Sequence, residues 1–403
     1  RSWAETLCGR KGFRYPSSEK HGGNMSLKTM RTDHVGSFLR PRAVIDAFIA
    51  RGKDEIDDDD LARVQENAIR DVVAKQEAVG LGVVSDGEYR RLNWQVSFSA
   101  VEGWDLWEGS WRLFLRNPGH DASPDEKPGV RGADAVEVFR VPATGKLRLQ
   151  DNFPLRELRY LKSVANRPAK AMIMGPDRVA QMCDIPGSAP AYTSSGAFLE
   201  DVAAIQNQMV GELIDAGCDY VQIDEPSYTG YVDEATLERI RAAGEDPEEN
   251  LKHAVAASNA TIAGHEGKAC FGLHVCRGNR ASMWHREGTY DGIAEYLFSN
   301  LKFDRLLLEY DTDRAGGFEP LRFIPKDGPV AVLGLITTKS GEVETVDQLL
   351  ARIEDAQRFI DIDQLAISPQ CGFASGIGGN LLSEDAQWRK LEVMQEVAER
   401  VWT

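Results

Sequence analysis

Short apolar segments alternate with longer helix-like stretches, several of these segments end in a polar or metal-ligating residue, and the composition suits a large buried core. These three observations predict an α/β fold, a (β/α)8 TIM barrel with a long insertion after the second strand. Eight candidate strands cover residues 30–37, 82–86, 170–174, 219–224, 269–276, 304–309, 330–336 and 365–368. Of the 403 residues, 42% are hydrophobic, and the 37 Gly and 17 Pro are scattered rather than clustered, so the chain can fill a barrel and is not of low complexity.

Residues 1–24 precede Met25 with a polar, Gly-containing stretch and read as a leader or upstream extension, expected to be disordered; residues 25–403 then form a single catalytic barrel. The acidic run Asp57 to Asp60 opens a helix after the first strand, where negative charge suits the amino end of the dipole. The stretch of about 89–168 is too long for one crossover and holds Trp94, Trp104, Trp107 and Trp111, four of the eight Trp. Leaving the carboxyl end of a barrel strand, it would lie over the face where barrel active sites form, as a substrate lid or as a satellite hydrophobic cluster.

Further along, Phe198, Val202, Ile205, Met209 and Leu213 recur at three or four residues, the spacing of a helix laid on a sheet, and Gly217 ends that helix. Val346, Leu349, Ile353 and Ile360 repeat the pattern more loosely, behind a capping box of Thr345 and Gln348.

With 47 Lys+Arg against 63 Asp+Glu, the net charge of −16 argues against nucleic-acid and anionic-membrane partners, which bind through clustered cations. No apolar run approaches the ~20 residues of a membrane span. Six cysteines are too sparse for a disulfide framework and suit a reducing compartment, so a cytoplasmic setting is expected.

The chemistry concentrates in the stretch from Phe271 to Asn279. Side chains alternate along a strand, so His274 and Cys276 point the same way while Leu273 and Val275 point the other. Glu309 ends the run Leu306-Leu307-Leu308, and Cys371 follows the last strand. Two sulfurs, a nitrogen and an oxygen converging from the fifth, sixth and eighth strands suit a tetrahedral Zn2+. Such a set makes an electron-rich ion able to exchange a weak ligand for an incoming thiol. Cys183, Cys218 and Cys270 read as packing residues.

On the same face, Gly36-Ser37 ends the first strand, Asp86 and Glu88 follow the second, and Asp224 with Glu225 ends the fourth. Such acids either cap the following helices or bind an ammonium group, and backbone N–H groups near Ser37 could take a carboxylate, which together describe an amino-acid site.

The motifs His274-x-Cys276, Glu309 and Gln370-Cys371-Gly372, with Val35-Gly36-Ser37, Asp86-Gly87-Glu88 and Gln222-Ile223-Asp224-Glu225-Pro226, resemble the catalytic barrel of cobalamin-independent methionine synthase from about Thr29 to the carboxyl terminus. The resemblance implies a zinc-dependent methyltransferase acting on the thiol of homocysteine, with Ser37, Glu88 and Asp224 around its amino-acid portion. Two departures bear on the methyl donor. Full-length members of the family carry an additional amino-terminal barrel that helps bind folate, whereas these 403 residues are expected to hold one barrel, and Thr337 stands where the family places a proton-donating His after the seventh strand. The donor is therefore left open among a methylated folate, a methyl-corrinoid and another small methylated compound. The alternatives are alkyl transfer to another thiol such as coenzyme M, by epoxide opening, and a noncatalytic zinc-binding barrel.

Overall fold

The computed structural model describes residues 27–104, 130–132 and 140–402. Residues 1–24, with Cys8, and Trp107 and Trp111 of the Trp-rich stretch lie outside the described residues. Six strands form a parallel sheet in sequence order: β1 (Lys170–Met174), β2 (Tyr220–Asp224), β3 (Cys270–Val275), β4 (Arg305–Glu309), β5 (Val330–Ile336) and β6 (Leu365–Pro369). Every residue in these strands is buried, the near-continuous apolar pattern expected when helices cover a parallel sheet.

The two leading segments complete the ring through single bridges. Thr32 pairs with Ile367 of β6, Ser37 with Gly87, and Val84 with Ala169 beside β1, all parallel. Asp33 N donates to Ile367 O at 3.0 Å, Phe38 N to Gly87 O at 3.2 Å, and Lys170 N to Val84 O at 2.9 Å. Full ladders do not form here because local groups take the backbone partners. Gln76 donates to Ser85 O at 2.8 Å and accepts from Ser85 N at 2.9 Å, while the Ser85 hydroxyl donates to Gly36 O at 2.5 Å. Gly36 also sits at φ 130°, against Met172, where any side chain would be strained and crowded.

Helix starts follow the sequence signals. Asp57 and Asp60 form a reciprocal capping box at the start of helix Asp58–Ala78, and Thr345 with Gln348 does the same for Val346–Ala356. Helix Ser195–Asp215 buries Phe198, Val202, Ile205, Met209 and Leu213, and Gly217 turns the chain into β2 at φ 80°. No helix among the described residues is long and apolar enough to cross a membrane.

Within the Trp-rich stretch, Trp94 opens the 3-10 helix Trp94–Phe98, and Val101–Glu102 pairs antiparallel with Arg148–Leu149. Trp104 is buried between Phe98 and Phe198, ring centroids 6.2 and 5.9 Å away, so this Trp belongs to a packed apolar cluster. Helix Phe153–Val164 then leads back to β1.

Charged side chains fill the amino end of the barrel interior. Asp33 takes Lys170 Nζ at 2.8 Å, Arg305 Nε at 2.9 Å and the Tyr220 hydroxyl at 3.0 Å, and the three charged side chains are fully buried. Burial alone would raise the Asp33 carboxyl, but Lys170 and Arg305 outweigh it and hold it below the usual carboxylate range.

Candidate metal centre and substrate site

The opposite end of the ring gathers the sequence-predicted ligands. In the β2–β3 register Asp224 stands beside His274, which places both at the carboxyl end of the barrel. One donor atom each from His274, Cys276 and Cys371 lies within 4.8 Å of the others, and all three residues are buried. His274 Nδ1 bonds Leu307 O at 3.2 Å, which orients the ring and leaves Nε2 buried with no hydrogen-bond partner. A nitrogen lone pair without a partner beside two thiols is the donor set a Zn2+ ion prefers, so these residues fit the metal.

Electrostatics sharpen the centre. Cys276 and His274 beside the Cys371 thiol drive it well below the ordinary thiol range against the effect of burial, while Cys276 is pushed up by sharing that contact. Burial would depress His274, yet the neighbouring Cys371 and Asp224 raise it overall.

Glu309, the last residue of β4, is near this trio but anchored separately. Its Oε2 accepts from Arg277 N at 2.6 Å and from Gln370 at 3.5 Å, and its Oε1 accepts from Arg314 at 2.9 Å. Burial would raise its carboxyl, but Lys339, Arg277 and Arg314 bring it down to about 2. Since Arg277 follows Cys276 and Gln370 precedes Cys371, the carboxylate is tied to the immediate neighbours of both sulfurs.

The predicted amino-acid site lies across the same face. Ser37 is buried, its carbonyl accepts from Phe373 N at 3.0 Å and its hydroxyl from Ala374 N at 3.4 Å. A side chain at Gly372 would collide with Ser37 Oγ, so this glycine lets the loop carrying Cys371 close onto the first segment. Glu88 adopts φ 60°, rare for a residue with a side chain, and its amide is fixed by Asp86 Oδ1 at 2.9 Å. Its Oε1 accepts from Arg91 at 3.1 Å, and its Oε2 is buried without a partner.

Asp224 accepts from Gln222 at 2.6 Å. Burial pushes Glu88 up to about 8 and Asp224 up to about 6, and the Asp224 charge adds to the shift at Glu88. Two buried acids, both raised by burial and one of them further by the other's charge, describe a place where a cation would be stabilised.

Of the remaining cysteines, Cys218 and Cys270 are buried, and burial pushes each thiol up to about 12, as suits packing residues; Cys183 is also buried and raised. Thr337 sits just past β5, where its backbone N–H donates to Glu344 at 2.8 Å and its hydroxyl accepts from Lys339 N at 3.2 Å. Sequence reasoning passed over Asp311 and Arg314. Their signal was present in the polar run Asp311-Thr312-Asp313-Arg314 directly after a barrel strand. It also missed Asn279, which donates to Gly372 O at 2.8 Å and so joins the loops of β3 and β6.

The chain resembles known proteins over most of its length. Residues 138–400 match the family model described as the cobalamin-independent synthase catalytic domain. The chain is 35% identical to the uncharacterized protein YxjH of Bacillus subtilis over 92% of this chain and 94% of the relative. It is 24% identical to methionine synthase of Pyrococcus abyssi over 86% and 87%. Among solved structures, a Listeria monocytogenes protein assigned as a vitamin-B12-independent methionine synthase superposes with a TM-score of 0.70 at 28% identity, covering 92% of this chain and 97% of that one.

Proposed function

The chain belongs to the cobalamin-independent methionine synthase family through its catalytic domain, and from that premise we propose that it moves a methyl group to the thiol sulfur of homocysteine. The single observation that carries this reading is the buried trio of His274, Cys276 and Cys371 with an unpartnered imidazole nitrogen. These three residues would hold a zinc ion, with Glu309 as the fourth ligand. When bound, zinc would supply a thiolate at neutral pH from a substrate thiol whose pKa is otherwise near ~8.5.

The chain's own residues do the rest. Glu88 and Asp224 bind the substrate ammonium group, an assignment supported by the elevation of both buried acids and by the free Glu88 oxygen. Ser37, locked to the loop of Cys371, orients the substrate carboxylate so that the sulfur reaches the centre. Fixing both reactants in line removes much of the entropic barrier to methyl transfer. Thr337 has too weak an acid in its hydroxyl to protonate a departing amine, so a donor other than methyl-tetrahydrofolate is favoured.

The reading places all of this in one barrel domain over residues 25–403, with residues 1–24 as an extension. It also sets the enzyme in the cytoplasm, consistent with the described cysteines being free thiols. The test is a screen of methyl donors against homocysteine with methionine detected by mass spectrometry. Methionine formation with at least one donor, abolished by Cys371→Ser, is expected; no methionine with any methylated folate, corrinoid or sulfonium refutes the assignment.

A further inference from the structure

Two charged side chains past the ends of β4 and β5 have no role in the acceptor site. Asp311 has a side chain with 0% exposure, and neither of its oxygens has a hydrogen-bond donor. Lys339 buries its Nζ with no acceptor. The hydroxyl of its neighbour Thr338 donates to Gln370 at 2.8 Å, next to Cys371, and the Lys339 charge acts on Asp311, Glu309 and Cys371, so Lys339 stands beside the metal centre. Arg314 approaches Asp311 only to 3.9 Å. It is already bonded to Glu309 at 2.9 Å and stacked 4.1 Å over the Trp284 ring.

We propose that Lys339 and Asp311 form the polar end of a second small-molecule subsite that takes the zwitterionic head group of the methyl donor, an amino acid bearing an S-methyl sulfonium. The inference rests on the methyl-transfer reading and names the other substrate class. Lys339 and Asp311 offset part of each other's charge, but their buried polar atoms have no hydrogen-bond partners, and burial without such partners is costly. A purely anionic ligand would satisfy Lys339 and leave Asp311 exposed to like charge, and a purely cationic one would do the reverse. A ligand carrying both a carboxylate and an ammonium group gives each of the two a charged hydrogen-bond partner without upsetting the balance between them.

The placement suits transfer. Ser37, Glu88 and Asp224 come from the two leading segments and β2, Asp311 and Lys339 follow β4 and β5, and His274 and Cys371 on β3 and β6 lie between these arcs of the ring. Acceptor and donor therefore approach the central sulfur from different sides. In the step itself the homocysteine thiolate forms a new S–C bond to the methyl carbon. The C–S bond of the sulfonium breaks, its electron pair stays on the departing sulfur, and a neutral thioether leaves. No proton is needed at the leaving group, which matches Thr337 in place of an acid.

The experiment is calorimetric titration of the zinc-loaded full chain with S-methylmethionine, with dimethylsulfoniopropionate, which lacks the ammonium group, and with trimethylsulfonium, which lacks both groups. S-methylmethionine should bind most tightly. Lys339→Met should weaken S-methylmethionine and dimethylsulfoniopropionate at least tenfold, Asp311→Asn should weaken only S-methylmethionine, and Lys339→Arg should retain binding. Zinc content and homocysteine affinity should be unchanged in Asp311→Asn and Lys339→Arg, which keep a cation beside Glu309 and Cys371. Absence of S-methylmethionine binding to the unmodified chain, or unchanged S-methylmethionine affinity in Lys339→Met or Asp311→Asn, overturns the subsite. Normal donor binding and variant effects without methyl transfer would instead overturn the acceptor assigned above and uphold the subsite.

Discussion

At the amino ends of the strands Asp33, Lys170, Arg305 and Tyr220 bury their charges and hydroxyl against one another, with Arg305 Nη2 the one polar atom of the four left unmatched. At the carboxyl ends His274, Glu88, Asp311 and Lys339 each leave a buried atom unmatched. Both sets are inaccessible to solvent, so burial alone does not separate a structural charge from a functional one. The difference lies in pairing. At the amino end one carboxylate closes ion pairs with both cations and holds the ring together, whereas the donors and acceptors left open at the other end are satisfied only when metal and substrates arrive.

The largest effect should come from breaking the paired end. Asp33→Asn leaves Lys170 and Arg305 buried without their shared counter-charge and should cost about 3–5 kcal/mol of stability in chemical denaturation. A loss below about 1 kcal/mol would show that the two ends do not differ as described. Because the folded Asp33 carboxyl is depressed, its contribution is present above the ordinary carboxylate range and fades as pH falls below about 4.

At the open end, Glu88→Gln should leave stability unchanged or raise it, since it removes a buried acid held at about 8. Homocysteine should bind roughly 10- to 100-fold more weakly, the value of a charge-assisted contact. A proton signature accompanies this. At pH 7 the folded Glu88 keeps a proton that its unfolded counterpart has released, so stability falls as pH rises from about 4 toward 8. Binding an ammonium group should expel that proton, seen as a buffer-dependent heat at pH 7 that the Gln variant lacks. Equal heats in buffers of different ionisation enthalpy would remove Glu88 from the ammonium site. The smallest effect belongs to Cys218→Ala, expected to cost about 1 kcal/mol with zinc content intact.

Much of this contrast was legible in the sequence. Strand alternation aligned His274 with Cys276, and the six ladder strands begin and end within a residue of the apolar segments that announced them. The capping boxes at Asp57 and Thr345 were readable because their partners are three residues away. The unmatched atoms were not. Whether Lys339 or Asp311 has a partner depends on side chains brought together from separate strands, which no local spacing encodes. Glu309 was legible as a ligand, but its attachment to Arg277, Arg314 and Gln370 arises only when β3, β4 and the loop after β6 meet. The leading segments read as full strands because their apolar content is strand-like, and the side chain of Gln76 satisfies Ser85 in place of a ladder.

X-ray absorption at the zinc edge, with and without homocysteine, tests the central claim most directly. One zinc per chain should show a first shell of two sulfurs with nitrogen and oxygen, and homocysteine should add a third sulfur. A shell without the sulfurs of Cys276 and Cys371, or one that homocysteine leaves unchanged, would contradict the account.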